Sequence, residues 1–154
     1  MSQPATINPR IVEGLYSEAL VLSDEVRAAF ALSARIEESA GAEDLRRVAL
    51  SCEGLRTTTR MMHAVAWLLN HRAFFMGELS AIQLQRNGRL SPDLQGSDEA
   101  NIALLSTDIR ELIAATERFY ARLMRLEKRW RQRDPGQMSA IASLRKRMGV
   151  RPRA

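Results

Sequence analysis

Three long runs of apolar residues, each spaced alternately three and four apart, leave this chain few folds to choose from. The first is Val12, Leu15, Ala19, Leu22, Val26, Ala29, Ser33 and Ile36. The second is Leu45, Val48, Cys52, Leu55, Thr59, Met62, Ala66, Leu69, Ala73 and Met76. The third is Ile102, Leu105, Ile109, Leu112, Thr116, Phe119, Leu123, Leu126 and Trp130. An α-helix turns once in about 3.6 residues, so this spacing gathers each run on one side of a helix. A hydroxyl residue (Ser33, Thr59, Thr116) interrupts each run once. Alternating β-branched runs between turns, the mark of strands, do not occur.

Punctuation sets the boundaries. Asn8 can cap a backbone N–H, and Pro9 at the first helical position loses no hydrogen bond. Gly41 suits a left-handed end, and Glu43 and Asp44 complement the positive start of the next helix. Gly77 closes that helix. Ser80 with Gln83 forms a capping-box pattern, which predicts a short helix over 80–86. Asn87-Gly88 and Ser91-Pro92-Asp93 signal turns, and Ser97 or Asp98 caps the third long helix. Asp134-Pro135-Gly136 should stop it. The spacing therefore predicts long helices over 9–40, 43–76 and 98–133, each about 50 Å long. The expected fold is all-α: an antiparallel three-helix bundle over 8–134, with a long helix 2–3 connection. A flexible N-terminus (1–7) and a flexible basic C-terminal tail (135–154) flank it. Such a long connection is uncommon in a compact domain and is often functional. The second helix also carries Met61, Val65, Leu68 and Phe75, so it should touch more than one partner, or a second copy.

Charge divides the chain. Residues 1–127 hold 14 Lys and Arg against 17 Asp and Glu, whereas 128–154 hold nine basic residues and only Asp134 as an acid. A basic tail can meet nucleic acid, an acidic membrane surface or an acidic protein. Within it, Met138, Ile141, Leu144 and Met148 share a side, with Arg145, Lys146 and Arg147 between them. That pattern suits a segment that folds on a partner. The longest central apolar run, Ala64 to Leu69, is far short of the ~20 residues of a membrane span, so no membrane insertion is expected. A lone cysteine and no signal-peptide pattern predict a cytoplasmic protein.

Catalytic and metal chemistry find little footing. On one helix Cys52 and His63 lie roughly 16 Å apart, and His63 and His71 roughly 12 Å, whereas zinc ligands must converge within ~2.3 Å of one point. The first of those distances also removes a Cys52–His63 nucleophile pair. Cys52 falls on the seam and reads as a packed thiol. His63, four residues before Trp67, reads as ring packing within the helix. No phosphate loop, metalloprotease motif or paired-carboxylate site is present. No cofactor is expected, and the chain is expected not to be an enzyme. Gly54 followed by Thr57, Thr58 and Thr59 admits two readings. One is close helix approach with threonine hydroxyls bonding back to the preceding turn. The other is an exposed contact face made by Arg56, Thr57 and Arg60, with Arg72 further along. Arg129 to Arg133 surrounds Trp130 with charge, as a nucleic-acid site would, but Trp130 falls on the third seam.

The densest stretch resembles a known family. Ser51-Cys52-Glu53, Leu55-Arg56, Thr58-Thr59-Arg60, Met62-His63 and Ala66-Trp67-Leu68-Leu69 resemble, in order, the central segment of the RcdA family, regulators of CtrA degradation. Leu15-Tyr16, Glu18-Ala19-Leu20, Leu22, Glu25, Arg27 and Phe30 resemble its first helix, and Gly77-Glu78-Leu79-Ser80 the segment after its second. The resemblance implies a helical-bundle homodimer without catalytic residues, in the bacterial cytoplasm and recruited to a cell pole. It implies an adaptor that helps the ClpXP protease degrade cell-cycle regulators. The body would hold cargo or co-adaptors, and the tail would contact the protease machinery. The alternative is a nucleic-acid-associated protein that uses the basic tail.

Overall fold

The computed structural model describes residues 7–41 and 43–149, with the backbone alone for 133–146. Those residues are all-α, with no strand among them. The elements are α1 (Pro9–Ala40), α2 (Asp44–Phe75), α3 (Ala81–Asn87), a 3₁₀ turn (Pro92–Leu94), α4 (Glu99–Ile102) and α5 (Thr107–Gly149). The Asn8 side chain accepts from Ile11 N at 3.0 Å, and Gly41 takes φ 62°, as the punctuation predicts. Ser80 and Gln83 form the capping box.

Two boundaries differ from expectation. The third long helix does not start at 98: Asp98 caps only the single turn of α4, and α5 starts at Thr107. A second cap sits there, since the Ser106 hydroxyl accepts from Ile109 N. Nor does α5 stop at Asp134-Pro135-Gly136. Its backbone continues as helix to Gly149, where a flexible tail was expected. Proline in a helix interior removes one hydrogen bond and costs about 3 kcal/mol. The flanking Arg, Gln, Met, Ala and Leu are good helix formers and keep the helix going.

Contacts give the direction of each helix. Arg72 pairs with Glu13, and Arg46 with Glu37, so α1 and α2 are antiparallel. Arg122 of α5 pairs with Glu18 near the start of α1, whereas Ile109 belongs to a cluster with Ala29 and Phe30. Thus α5 is antiparallel to α1. Against α2 it runs the other way: Ala49 and Leu50 cluster with Ile109, Arg60 bonds Thr116, and His71 meets Trp130. The two are parallel, which corrects the expected fully antiparallel arrangement. A parallel pair needs a connection that travels back along its length. Residues 76–106 do this as a strap along α2 and α5.

The core also rotates α2 away from the expected seam. Leu45, Val48, Leu55, Met62, Leu69 and Met76 are exposed, Leu55 by 72% and Met62 by 65%. Cys52 is exposed as well. The inward face is Ala49, Leu50, Glu53, Thr57, Arg60, Met61, Ala64, Trp67, Leu68 and His71. Spacing alone could not choose between two faces of similar period, and polar residues on the inward one made the other look like core. The seams of α1 and α5 fare better. Val12, Leu15, Ala19 and Val26 are buried, as are Leu105, Ile109, Phe119, Leu123 and Leu126, but Ile36 is exposed. Gly54 permits close approach of α1 and α2: a Cβ there would lie 3.0 Å from Phe30.

Alanine substitution separates the two faces of α2. Leu68→Ala should lower unfolding free energy by about 2–5 kcal/mol, the range for emptying a packed site. Leu55→Ala should stay within about 0.5 kcal/mol at concentrations that keep the chain monomeric. Urea unfolding followed by circular dichroism measures both.

Candidate functional site

The inward face of α2 meets the strap through charged groups. Arg60 is fully buried. Its Nε donates to Leu94 O at 2.6 Å, and Nη1 to Thr116 Oγ1 at 2.9 Å. Nη2 donates to Gly96 O at 2.8 Å and to Ser97 Oγ at 3.2 Å. Ser97 Oγ in turn donates to Glu117 Oε1 at 2.6 Å. Burial lowers the Arg60 pKa, and nearby Glu117 and Glu53 act against the shift. Two turns earlier, buried Glu53 accepts from Arg56 Nη1, Asp98 N and Asn101 Nδ2, all at Oε1. A buried charge is costly unless hydrogen-bonded or paired: Arg60 is held by neutral acceptors of the strap and α5, whereas Glu53 pairs with Arg56 on its own helix and takes strap donors on one oxygen, its other oxygen having no partner.

Residues of α5 hold the strap's earlier part. Tyr120 OH donates to Ser91 O at 2.6 Å, and burial raises its pKa to about 12. Leu90 N donates to Glu127 Oε2 at 2.9 Å, while Arg131 Nε donates to Glu127 Oε1 at 3.2 Å. Beside them His71 is enclosed by rings: Trp67 at 4.1 Å and Trp130 at 5.3 Å between centroids. Burial, with Arg131 nearby, pulls its pKa down to about 4. His71, not His63, makes the ring contact with Trp67, four residues before it; His63 is exposed.

The arginine–threonine contact face foreseen on α2 does not exist as one surface. Thr57 and Arg60 are wholly buried. Arg56 is partly exposed and pairs with Glu53. Arg72 pairs with Glu13 at 2.6 Å and lies over the Tyr16 ring. Of the close-approach reading, Thr59 bonds back to Leu55 O at 2.8 Å. In the basic segment, Arg147 and Met148 are exposed on the last turns of α5. The side chains of Met138, Ile141, Leu144, Arg145 and Lys146 lie outside the described ones. Among the described residues, no three His, Cys, Asp or Glu could hold a metal ion, and no helix is long and apolar enough to cross a membrane.

What the surface offers instead is an unpartnered apolar face. It follows α2 through Leu45, Val48, Leu55, Met62 and Leu69, and Leu20 of α1 is exposed beside it. Between the two helices the face dips into a groove of about 690 Å³, floored by Phe30, Met61 and Val65. This face was legible as an apolar seam; that it points outward was not.

Two substitutions test the interior. Arg60→Met should destabilise by about 1–3 kcal/mol for each neutral acceptor that it leaves buried without a donor. Hydrogen exchange should then quicken at the amides of 94–101 first. His71 gives a pH signature. Its folded pKa of about 4 lies below the ordinary 6.5, so the unfolded chain binds the extra proton. Its contribution is therefore complete above about pH 6.5 and lost as pH falls toward 4, on the order of 3 kcal/mol in all. His71→Gln should flatten the fall in stability between pH 7 and pH 4.5 relative to the parent, as read by urea midpoints.

No curated protein and no solved structure matches the chain. Residues 3–150 match the family described as protein of unknown function (DUF1465). With nearly its whole length inside that match, the chain belongs to the DUF1465 family.

Proposed function

We propose that this chain is a non-enzymatic adaptor of ClpXP-dependent proteolysis in bacterial cell-cycle control. In this reading α1, α2 and α5 form a three-helix bundle that works as a homodimer, with α2 at the interface. The dimer holds cargo or co-adaptors while the basic end of α5 contacts the unfoldase. Tethering of this kind raises effective concentration without any new chemistry. Its setting is the cytoplasm, with recruitment to a cell pole.

The observation that carries the reading is the exposed apolar face of α2. A face that keeps heptad spacing over most of a long helix while pointing at solvent suits pairing with another helix. The same stretch holds the residues that resemble the RcdA family: Leu55, Met62 and Leu69 lie on that face, whereas Glu53, Arg60, Trp67 and Leu68 lie inside. One pattern thus combines a core that fixes the strap with a surface that recruits. The nucleic-acid alternative draws on the same basic segment. It loses its aromatic platform, because Trp130 already packs edge-on against His71.

Dimerisation and tethering are tested separately. The double variant Leu55→Glu with Met62→Glu should be a folded monomer by light scattering, with its melting temperature measured at low protein concentration nearly unchanged. Parent-like mass would reject the α2 interface. In a reconstituted ClpXP reaction with a cell-cycle regulator as substrate, the full chain should accelerate degradation. Removing residues 135–154 should abolish that acceleration and leave helicity of the rest and dimer mass intact. Equal degradation with and without those residues would reject the role of the basic segment.

A further inference from the structure

A second surface stands apart from the α2 face. The strap segment 89–95 and the middle of α5 enclose an open groove of about 840 Å³. Leu90, Pro92, Ala121 and Met124 supply its apolar lining, and Arg89, Arg125 and Lys128 stand at its edge. Among the described residues these three cations have neither an ion pair nor a hydrogen bond. The one carboxylate in the lining, Glu127, is occupied: it takes Leu90 N on one oxygen and Arg131 Nε on the other. Arg131 Nη2, also in this lining, is buried and has no acceptor. Three unpaired cations thus face a groove whose only acid is already neutralised by Arg131.

The wall is held before any partner arrives. Glu127 fixes Leu90 N, Tyr120 fixes Ser91 O, and Arg60 fixes Leu94 O. The strap's backbone is thereby pinned at three points while Arg89, Pro92 and Gln95 are exposed. Grooves of this kind, preformed and apolar with a few convergent polar groups, are where ligands bind at low ordering cost.

We propose that this groove docks an acidic peptide segment of a partner protein, its carboxylates on Arg89, Arg125 and Lys128 and an apolar side chain against Pro92 and Met124. Charge excludes the chain's own segments. Residues 1–6 hold no acid, and 128–154 hold nine bases against one acid. A nucleic-acid strand would leave the aliphatic floor unused, since stacking needs rings there. Carboxylates on arginine form the stronger, charge-assisted hydrogen bonds, and cations around an apolar floor select acidic segments over neutral ones. This site stands or falls independently of the adaptor reading.

The test is fluorescence anisotropy with the full chain and a labelled peptide in which Glu pairs alternate with Leu. A Gln-for-Glu peptide and a labelled oligothymidine serve as comparison probes. The parent should bind the acidic peptide at least tenfold more tightly than the Gln peptide. Arg125→Glu with Lys128→Glu should weaken that binding at least tenfold, and Met124→Gln should weaken it severalfold. Arg118→Glu, on α5 outside this groove, should change it less than twofold. All variants alter exposed or half-exposed positions, and circular dichroism checks their fold. Equal loss with Arg118→Glu, indifference to Met124→Gln, or tighter binding of oligothymidine than of the acidic peptide would overturn the proposal. So would absence of binding.

Discussion

The guanidinium of Arg60 is the contact on which the arrangement turns. Its hydrogen bonds reach two backbone carbonyls of the strap, one strap hydroxyl and one α5 hydroxyl. A charge so fully enclosed would be expelled if those acceptors were elsewhere, so α2, α5 and the strap must come together as one unit. With α5 parallel to α2, the chain has to travel back along α2. The strap does so without regular helix for much of its course, and its carbonyls need donors. Arg60, Tyr120 and Glu127 meet part of that need.

This accounts for what the sequence disclosed and what it hid. Long helices were legible because apolar spacing, Asn8-Pro9 and Gly41 act locally. The α5 seam was legible because its inward side is almost wholly apolar. The inward side of α2 was not, because Arg60 and Glu53 are held by groups 34 to 56 positions away in the chain, which no local spacing suggests. A rule that ranks faces by apolarity chose the exposed one. The direction of α5 was hidden for a related reason: a long connection can return or stay, and the bonds that decide lie between distant residues. The helix runs through Pro135 because helix-forming residues on both sides outweigh that local stop signal.

The exposed face and the groove follow from the same economy of design. By turning its polar residues inward to fasten the strap, α2 leaves its cleanest apolar seam outside. By fastening the strap, α5 gains a groove wall that its basic side chains can use. On the readings proposed above, the chain has two separate binding faces, one apolar and one cationic over an apolar floor.

The orientation of α2 is the claim beneath all of this, and the native thiol reports it directly. Cys52 lies on the seam that apolarity would bury and that Arg60 turns outward. The decisive measurement is the rate at which a small maleimide modifies Cys52 in the folded chain, at a concentration where light scattering shows a monomer. The account predicts a rate near that of an unstructured cysteine peptide, rising linearly with reagent and indifferent to mild stabilisation of the fold. Modification that waits for global unfolding would place Cys52 in the core and contradict it.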